Sequence, residues 1–583
     1  MNSLLLGGGC VLIYLAAYHT YGRYLSRRLF RLNDARQTPA HALRDGVDFI
    51  PTGKDVLFGH HFTSIAGTGP IVGPAIGVIW GWLPALLWVL LGPIFIGAVH
   101  DLGALVISIR HEGKSIAEVI GRTISPRVRH LFFAVIFFEL WVVIAIFALI
   151  IALLFTMYPH AVLAVWIEVP IALAVGFLVR REKRLLLPLS VAGVALMYLS
   201  VWLGSHLPLA MPALPGLGPV PLWMLLLFAY AATASILPVD LLLQPRDYLN
   251  SHQLLIAMGL LALGICLAQP PMTAPAYVPA PSGAPSLWPF LFVIIACGAV
   301  SGFHSVVSSG TSSKQLARET DALFVGYGSM LVEGGLAVLV IIACTAGLGM
   351  GVVKDGALLS GLAAYNSHYA DWTSAQGLGA NLSAFIEGAA NIISALGLPR
   401  SLAVATMGVF IVSFAATTLD SAARIQRYVV AELAESCKLH ALGARIPATV
   451  IAVGSAMALA FYSGDGKGAM ALWPIFGGIN QLLAGLALLA ITAYLAHSRR
   501  PLWFTFPPLC FMVAITSWAM LGNISEQLSE KNHFLAALSG LILSLQILVL
   551  AESLLVLRKR SLRTARPVEA AGTELIAAPL SEE

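Results

Sequence analysis

Residues 59–74 read GHHFTSIAGTGPIVGP and stand at the head of an apolar run. His60, His61, Thr63, Ser64 and Thr68 share this stretch with Gly59, Gly67, Gly69, Gly73, Pro70 and Pro74. Inside a membrane, backbone leaves helical geometry only where it faces protein or a water-filled cavity, because lipid offers no hydrogen-bond partners. The cluster therefore predicts a helix broken between Gly67 and Pro70. Its second half would begin near Gly69 and turn the positive end of its dipole into a cavity. Close helix packing or a simple kink is the alternative use of such residues. Working outward, His61-x5-Gly67-Thr68 recurs as His304-x5-Gly310-Thr311 within SGFHSVVSSGTSSKQ (301–315), which also carries Ser308 and Ser309. Discontinuous helices in two oppositely oriented halves build substrate and ion sites in secondary transporters. The echo thus predicts a second broken helix, with a half-helix N-terminus near Gly310.

Composition agrees with membrane burial. The chain has 583 residues, of which 58% are apolar and 11% charged, a net charge of +5 and a mean hydropathy of +0.85. A soluble protein of that length needs far more charge, so the class is a polytopic membrane protein. Nucleic acid is not an expected partner. The cysteines (Cys10, Cys266, Cys297, Cys344, Cys437 and Cys510) form no CxxC pair and read as small buried hydrophobes. No metal site or cofactor is expected: RHEGK (110–114) supplies one His-Glu pair without the second histidine of HExxH. A GxxxxGK[ST] phosphate loop is also missing, which argues against an ATP-driven motor.

Runs long enough to cross lie near 3–22, 60–81, 85–107, 131–157, 162–179, 186–204, 221–243, 253–269, 287–308, 324–350, 401–419, 446–462, 469–495, 502–521 and 534–557, about 15 spans. The first is read as a retained helix with its N-terminus outside, since Arg23, Arg27, Arg28 and Arg31 follow it. Strict alternation then places all of the 34 Lys and Arg inside except Lys354, Arg400, Lys467 and Lys531. One missed or invented span would scramble that division. The expected organisation has an N-terminal helix and cytoplasmic loop (1–58) and a transporter core (59–500). Two accessory helices (501–557) and a disordered cytoplasmic tail (558–583) follow. Within the core, five-helix repeats at about 60–204 and 287–495 flank a two-helix insert at 221–269. The 351–400 connection, with its amphipathic ANLSAFIEGAANIISALG (380–397), reads as an outer lid or a re-entrant hairpin.

Several long motifs carry a resemblance. GVDFIPTGKDVLFGHHFTSIAGTGPIVGPAIG (46–77), GAVHDLGALVISIRHEGKSIAEVIG (97–121), ILPVDLLLQPRDYLN (236–250), ACGAVSGFHSVVSSGTSSKQLARE (296–319), TTLDSAARIQRYV (417–429) and LWPIFGGINQLLAG (472–485) resemble the carbon starvation protein A (CstA) family, in the family's order. The resemblance implies a bacterial inner-membrane transporter of the amino acid/polyamine/organocation superfamily. The fold would be all-α, with an inverted-repeat, LeuT-like core and broken helices. Members are linked to peptide uptake during carbon starvation, and some to pyruvate import with protons. The expected partners are therefore a peptide or pyruvate-like carboxylate, a coupling H+ and the lipid bilayer.

Ionisable groups within spans are costly and mark cavities or partners. The expected substrate contacts are His61, Gly67, Thr68, Gly69, Pro70, His304, Ser308, Ser309, Gly310 and Thr311. Asp101, His304, Glu333, Thr417, Thr418 and Asp420 are the candidates for proton or ion coupling, with Glu333 the preferred acidic carrier. Thr417, Thr418, Asp420 and Ser421 would hold a small cation, or their hydroxyls would simply bond back to the helix. Asp240 is placed to pair with Arg246, whereas Glu139 and Glu168 have no assignable partners. Asn480 and Gln481 read as interhelical hydrogen-bonders, and Trp80, Trp82, Trp166, Trp223, Trp288, Trp473 and Trp503 as an aromatic belt. Alternating access closed by 351–400 is the expected mechanism. A nutrient receptor, or a metal-dependent membrane enzyme, is the rival.

Overall fold

The computed structural model describes residues 2–354, 356–464 and 466–564. In chain order the helices are α1 (Ser3–Phe30), α2 (Lys54–Ile65), α3 (Gly69–Trp80), α4 (Trp82–Ile109), α5 (Pro126–Met157), α6 (Pro159–Arg181), α7 (Lys183–His206), α8 (Pro219–Ile236) and α9 (Leu243–Ala268). They continue as α10 (Leu287–Ile294), α11 (Gly302–Gly310), α12 (Glu319–Gly347), α13 (Leu378–Ser394), α14 (Arg400–Ser436), α15 (Arg445–Ala460), α16 (Trp473–His497), α17 (Phe506–Ser529) and α18 (His533–Thr564). This is an all-α, multi-pass membrane protein. Among the described residues 12 helices are long and apolar enough to cross, or 13 when α2 and α3 count as one bent span.

The expectation of about 15 spans also included 287–308 and 446–462. The first is two short helices, α10 and α11, separated by non-helical backbone. The second is α15, whose 16 residues rise about 24 Å against a hydrocarbon core of about 30 Å. Leu5, Leu12, Leu187, Val191, Trp202, Leu263, Val450 and Leu554 stand exposed on outward faces. Each would cost roughly 1.5–3 kcal/mol against water and costs nothing against lipid.

Helices α5 and α14 pack together at the centre. The halves of the chain interlock around them: α3 packs on α12 and α11 on α4, while α2 packs on α9 and α11 on α16. Helices α8 and α15 each pack on both α5 and α14, and α6 with α7 forms a hairpin at one flank. The 351–400 connection becomes a short hairpin (Val352–Lys354 with Ala357–Leu359), two small helices and α13. Helix α13 is a buried element packed on α3, α9 and α14, tied down where Asn391 donates to the Gly347 and Gly351 carbonyls at 3.0 and 2.7 Å. Helix α18 continues through the start of the expected tail, and 565–583 lie outside the described residues.

Candidate transport site

Two chain breaks build the site. Helix α2 stops because Ala66 leaves helical geometry (ψ 37°) and Pro70 has no N–H to give the Ala66 carbonyl; α3 resumes at a 47° bend. The last carbonyls of α2 lose their intrahelical partners. Thr417 and Thr418 of α14 replace them, donating to the Thr63 and Ser64 carbonyls at 3.0 and 3.2 Å. The second break spans 295–301, where Gly298 takes φ +85°, a value that favours glycine. The Phe292 carbonyl in the last turn of α10 and the Ile295 carbonyl at the break accept from Gln481 Nε2 and Trp88 Nε1, both at 2.9 Å. Asn480 Oδ1 caps the new helix, accepting from Phe303 N–H at 2.9 Å and Ser301 Oγ at 3.2 Å.

The breaks cross at Gly69 and Cys297, where a Cβ on Gly69 would overlap the cysteine side chain. A cavity of about 300 Å³ opens on the face that carries Trp372 and the C-terminal end of α17, and descends past Gly69, Gly73 and Cys297. At its floor lies a chamber of about 30 Å³ against Gly67, Thr68, Gly69, Phe147, Phe303 and Thr418. Trp473 and Phe476, stacked at 5.8 Å, line both volumes, as do Cys297 and Asn480.

Beside the chamber, α4, α11 and α12 bring together a fully buried acid–base chain. His100 Nδ1 lies 2.7 Å from Asp101 Oδ1, and Asp101 Oδ2 lies 3.1 Å from His304 Nδ1. On the other side of the imidazole, His304 Nε2 is 3.4 Å from Glu333 Oε2. The remaining Glu333 oxygen accepts the Gly298 N–H at 2.9 Å, so the second break is itself anchored to the acid.

The opposite face is sealed by polar contacts. His60 is gripped by Asp247 at 2.5 Å and Thr311 at 3.0 Å, and His61 by Ser312 at 2.8 Å, so α2 is tied to α9 and to the segment after α11. The loop before α2 adds a clasp. Asp48 accepts from Arg424 (2.8 Å), Arg427 (3.2 Å) and Tyr428 (2.7 Å) of α14, while Thr52 N–H bonds to the Gln315 carbonyl. Burial raises the Asp48 carboxyl, but Arg427, Arg424 and the Tyr428 hydroxyl outweigh it and hold it below the usual range. Lys314 places its ammonium 3.5 Å from the centre of the Tyr428 ring, and burial lowers its pKa to about 8.

A family model described as "Carbon starvation protein CstA" matches residues 2–519. The chain belongs to the CstA family. Among curated CstA-like relatives it is 34% identical to the "Pyruvate/proton symporter BtsT" of Escherichia coli, over 88% of this chain and 80% of that protein. It is 32% identical to the "Peptide transporter CstA" of Escherichia coli over 88% and 80%, and to the protein of that name in Bacillus subtilis over 94% and 95%. Among solved structures, a manganese transporter of Eremococcus coleocola shares the fold with a TM-score of 0.50 at 12% identity, covering 89% of this chain and 99% of that one.

Measured against this CstA-family geometry, the expected residues divide. Gly67, Thr68 and Gly69 line the chamber, Pro70 forms the break, and Asp101, His304 and Glu333 meet in one chain. Gly310 corrects the expectation: it is the last residue of α11, so the half-helix begins at Gly302 and His304 follows its break where His61 precedes one. Ser308, Ser309, Gly310 and Thr311 accordingly lie away from the cavity, Ser309 receiving the Ile116 N–H and Thr311 meeting His60. Asp420 spends Oδ2 on Arg246 and on Tyr230 (2.7 Å), while its buried Oδ1 has no hydrogen-bond partner among the described residues. Asp240 pairs with Arg180 at 2.8 Å instead of Arg246. Glu168 accepts from Ser413 and stands 3.9 Å from Arg246, whereas Glu139 is buried with no hydrogen bond among the described residues. Cys297, Asn480 and Trp473 gain positions at the cavity that the sequence did not signal. The clasp at Asp48 was equally hidden.

Proposed function

We propose that this chain is a bacterial inner-membrane secondary transporter that imports a small carboxylate such as pyruvate, or a short peptide, by proton-coupled alternating access. The N-terminus would lie outside and the C-terminus in the cytoplasm, as the distribution of basic residues favours. The observation that carries the reading is the crossing of two broken helices at Gly69 and Cys297, between an open cavity on one face and a polar seal on the other. The names borne by its relatives supply the two substrate classes and the proton.

In this reading the unwound backbone at Gly67–Gly69, with Thr68, Thr418 and Asn480, receives the polar end of the substrate in the chamber. Trp473 and Phe476 flank its apolar part. The coupled proton resides on the Asp101–His304–Glu333 chain, whose attachment to Gly298 transmits protonation to the second break. Thr417 and Thr418 hold the first break open by satisfying its carbonyls. Exchange of access then means parting His60 from Asp247 and Thr311, and Asp48 from its arginines, while the cavity closes over Trp473, with Trp372 of the 351–400 segment covering it.

The interlocked packing supports an inverted repeat, and membership of the amino acid/polyamine/organocation superfamily accords with it. Because α9 packs on α2 as α16 packs on α11, and α8 mirrors α15, the repeats are best drawn as α2–α3, α4, α5, α8, α9 and α10–α11, α12, α14, α15, α16. The inserted pair is then α6–α7 (159–206) instead of the expected 221–269.

The test is uptake of labelled pyruvate and of a labelled dipeptide into proteoliposomes with an imposed proton gradient. Accumulation of one of them that a protonophore abolishes supports the reading. Uptake indifferent to the gradient rejects proton symport.

A further inference from the structure

Sequence spacing argues against a metal centre, yet folding assembles a donor set from three separate segments. Cys297 of the second break, His304 of α11 and Glu333 of α12 bring one donor atom each within 4.8 Å of one another. The distance between His304 Nε2 and Glu333 Oε2, 3.4 Å, is close to the ligand–ligand separation of a tetrahedral ion with bonds of about 2.0–2.2 Å. These two atoms face each other without hydrogen-bond geometry, and both are buried without another partner. That is the behaviour expected of donors aimed at a common third point.

The surroundings are arranged for a metal as well. Asp101 holds His304 by Nδ1, leaving Nε2 as the donor, and is itself fixed by His100. Such a carboxylate behind a histidine orients and strengthens a metal ligand. The Gly298 N–H occupies the first Glu333 oxygen and leaves the second directed inward. Cys297 lines the cavity and is partly exposed, so an ion has a route in and a solvent-facing fourth position. A thiolate, an imidazole and a carboxylate favour zinc-like ions over magnesium or calcium. One thiolate and one carboxylate also neutralise a divalent charge in a buried site.

We propose that Cys297, His304 and Glu333 form a site for a zinc-like divalent cation that, when bound, ties the second break to α11 and α12 and stops transport. The binding claim stands on geometry alone; the effect on transport rests on the alternating access proposed above.

The test is titration of the purified full-length chain with Co2+. One Co2+ per chain is expected, with a thiolate-to-cobalt charge-transfer absorption that Zn2+ displaces and that Cys297→Ser removes. Glu333→Gln should also weaken binding, and Asp101→Asn, which touches no ion, should weaken it about 10–100-fold while keeping the thiolate band. In proteoliposomes, Zn2+ on the cavity side should stop proton-driven uptake and a chelator should restore it. The ratio of uptake with and without Zn2+, taken within each variant, should return to about one in Cys297→Ser. Absence of the band, or a band unchanged by Cys297→Ser, overturns the proposal. If the cobalt signature is present but uptake ignores the proton gradient, the metal site stands and the coupling reading falls.

Discussion

Glu333 combines a charge, an acceptor for Gly298 and a neighbour for His304, and substitution separates these duties. Glu333→Gln keeps size and the Gly298 contact but cannot carry a proton. Proton-driven accumulation should fall at least about tenfold, while exchange of labelled for unlabelled substrate, which moves no net proton, persists. Loss of both would make the residue structural, and loss of neither would remove it as carrier. Polar residues were legible in the sequence as misfits in apolar runs, and Asp101, His304 and Glu333 met as misfits should. Their partners were less legible. Asp240 lies six positions from Arg246, yet Arg246 binds Asp420, which is 174 positions away. Asp240 stands in the turn before α9 while Arg246 is on that helix, and distant segments supply the counter-charge. Cys297 looked like a small hydrophobe because nothing nearby in the chain reveals that α11 and α12 converge on it.

At the scale of helices, the first break was readable because glycine and proline act locally on the backbone. The second was misplaced by the echo at Gly310, since the break depends on Gly298, on donors from Trp88 and Gln481 and on Glu333 as acceptor. The difference is measurable. A Cβ at Gly69 overlaps Cys297 at the crossing, whereas one at Gly310 meets only the Ile425 side chain at 3.1 Å. Gly69→Ala should lower uptake about fivefold or more, the cost of overpacking by about 1–3 kcal/mol, with normal amounts of protein in the membrane. Gly310→Ala should stay within about twofold of the native rate. Equal uptake by the two variants in proteoliposomes would contradict the assigned crossing point.

Across the whole molecule, one face is open and the other latched, and Asp48 is the latch's centre. Asp48→Asn leaves Arg424 and Arg427 without their carboxylate, so hydrogen exchange at 308–316 and 424–430 should rise about tenfold or more, and unchanged protection would dismiss the clasp. Lys314 adds a pH signature. Its folded value of about 8 lies below that of an exposed lysine, so between the two the unfolded chain binds a proton the folded chain has lost. Stability should therefore rise with pH from about 8 to about 10.4, by at most about 1.4 kcal/mol per unit. Thermal melts of Lys314→Met across that range should lack this increment. The division of basic residues predicted which ends share a side, but this clasp joins a loop near residue 48 to a helix near 424 and had no local trace. The chamber beneath the open cavity has a last implication. At about 30 Å³ it has room for about two waters. Even pyruvate must prise the crossed rods apart to be enclosed, so selectivity would be decided by how far they yield, not by a ready-made mould.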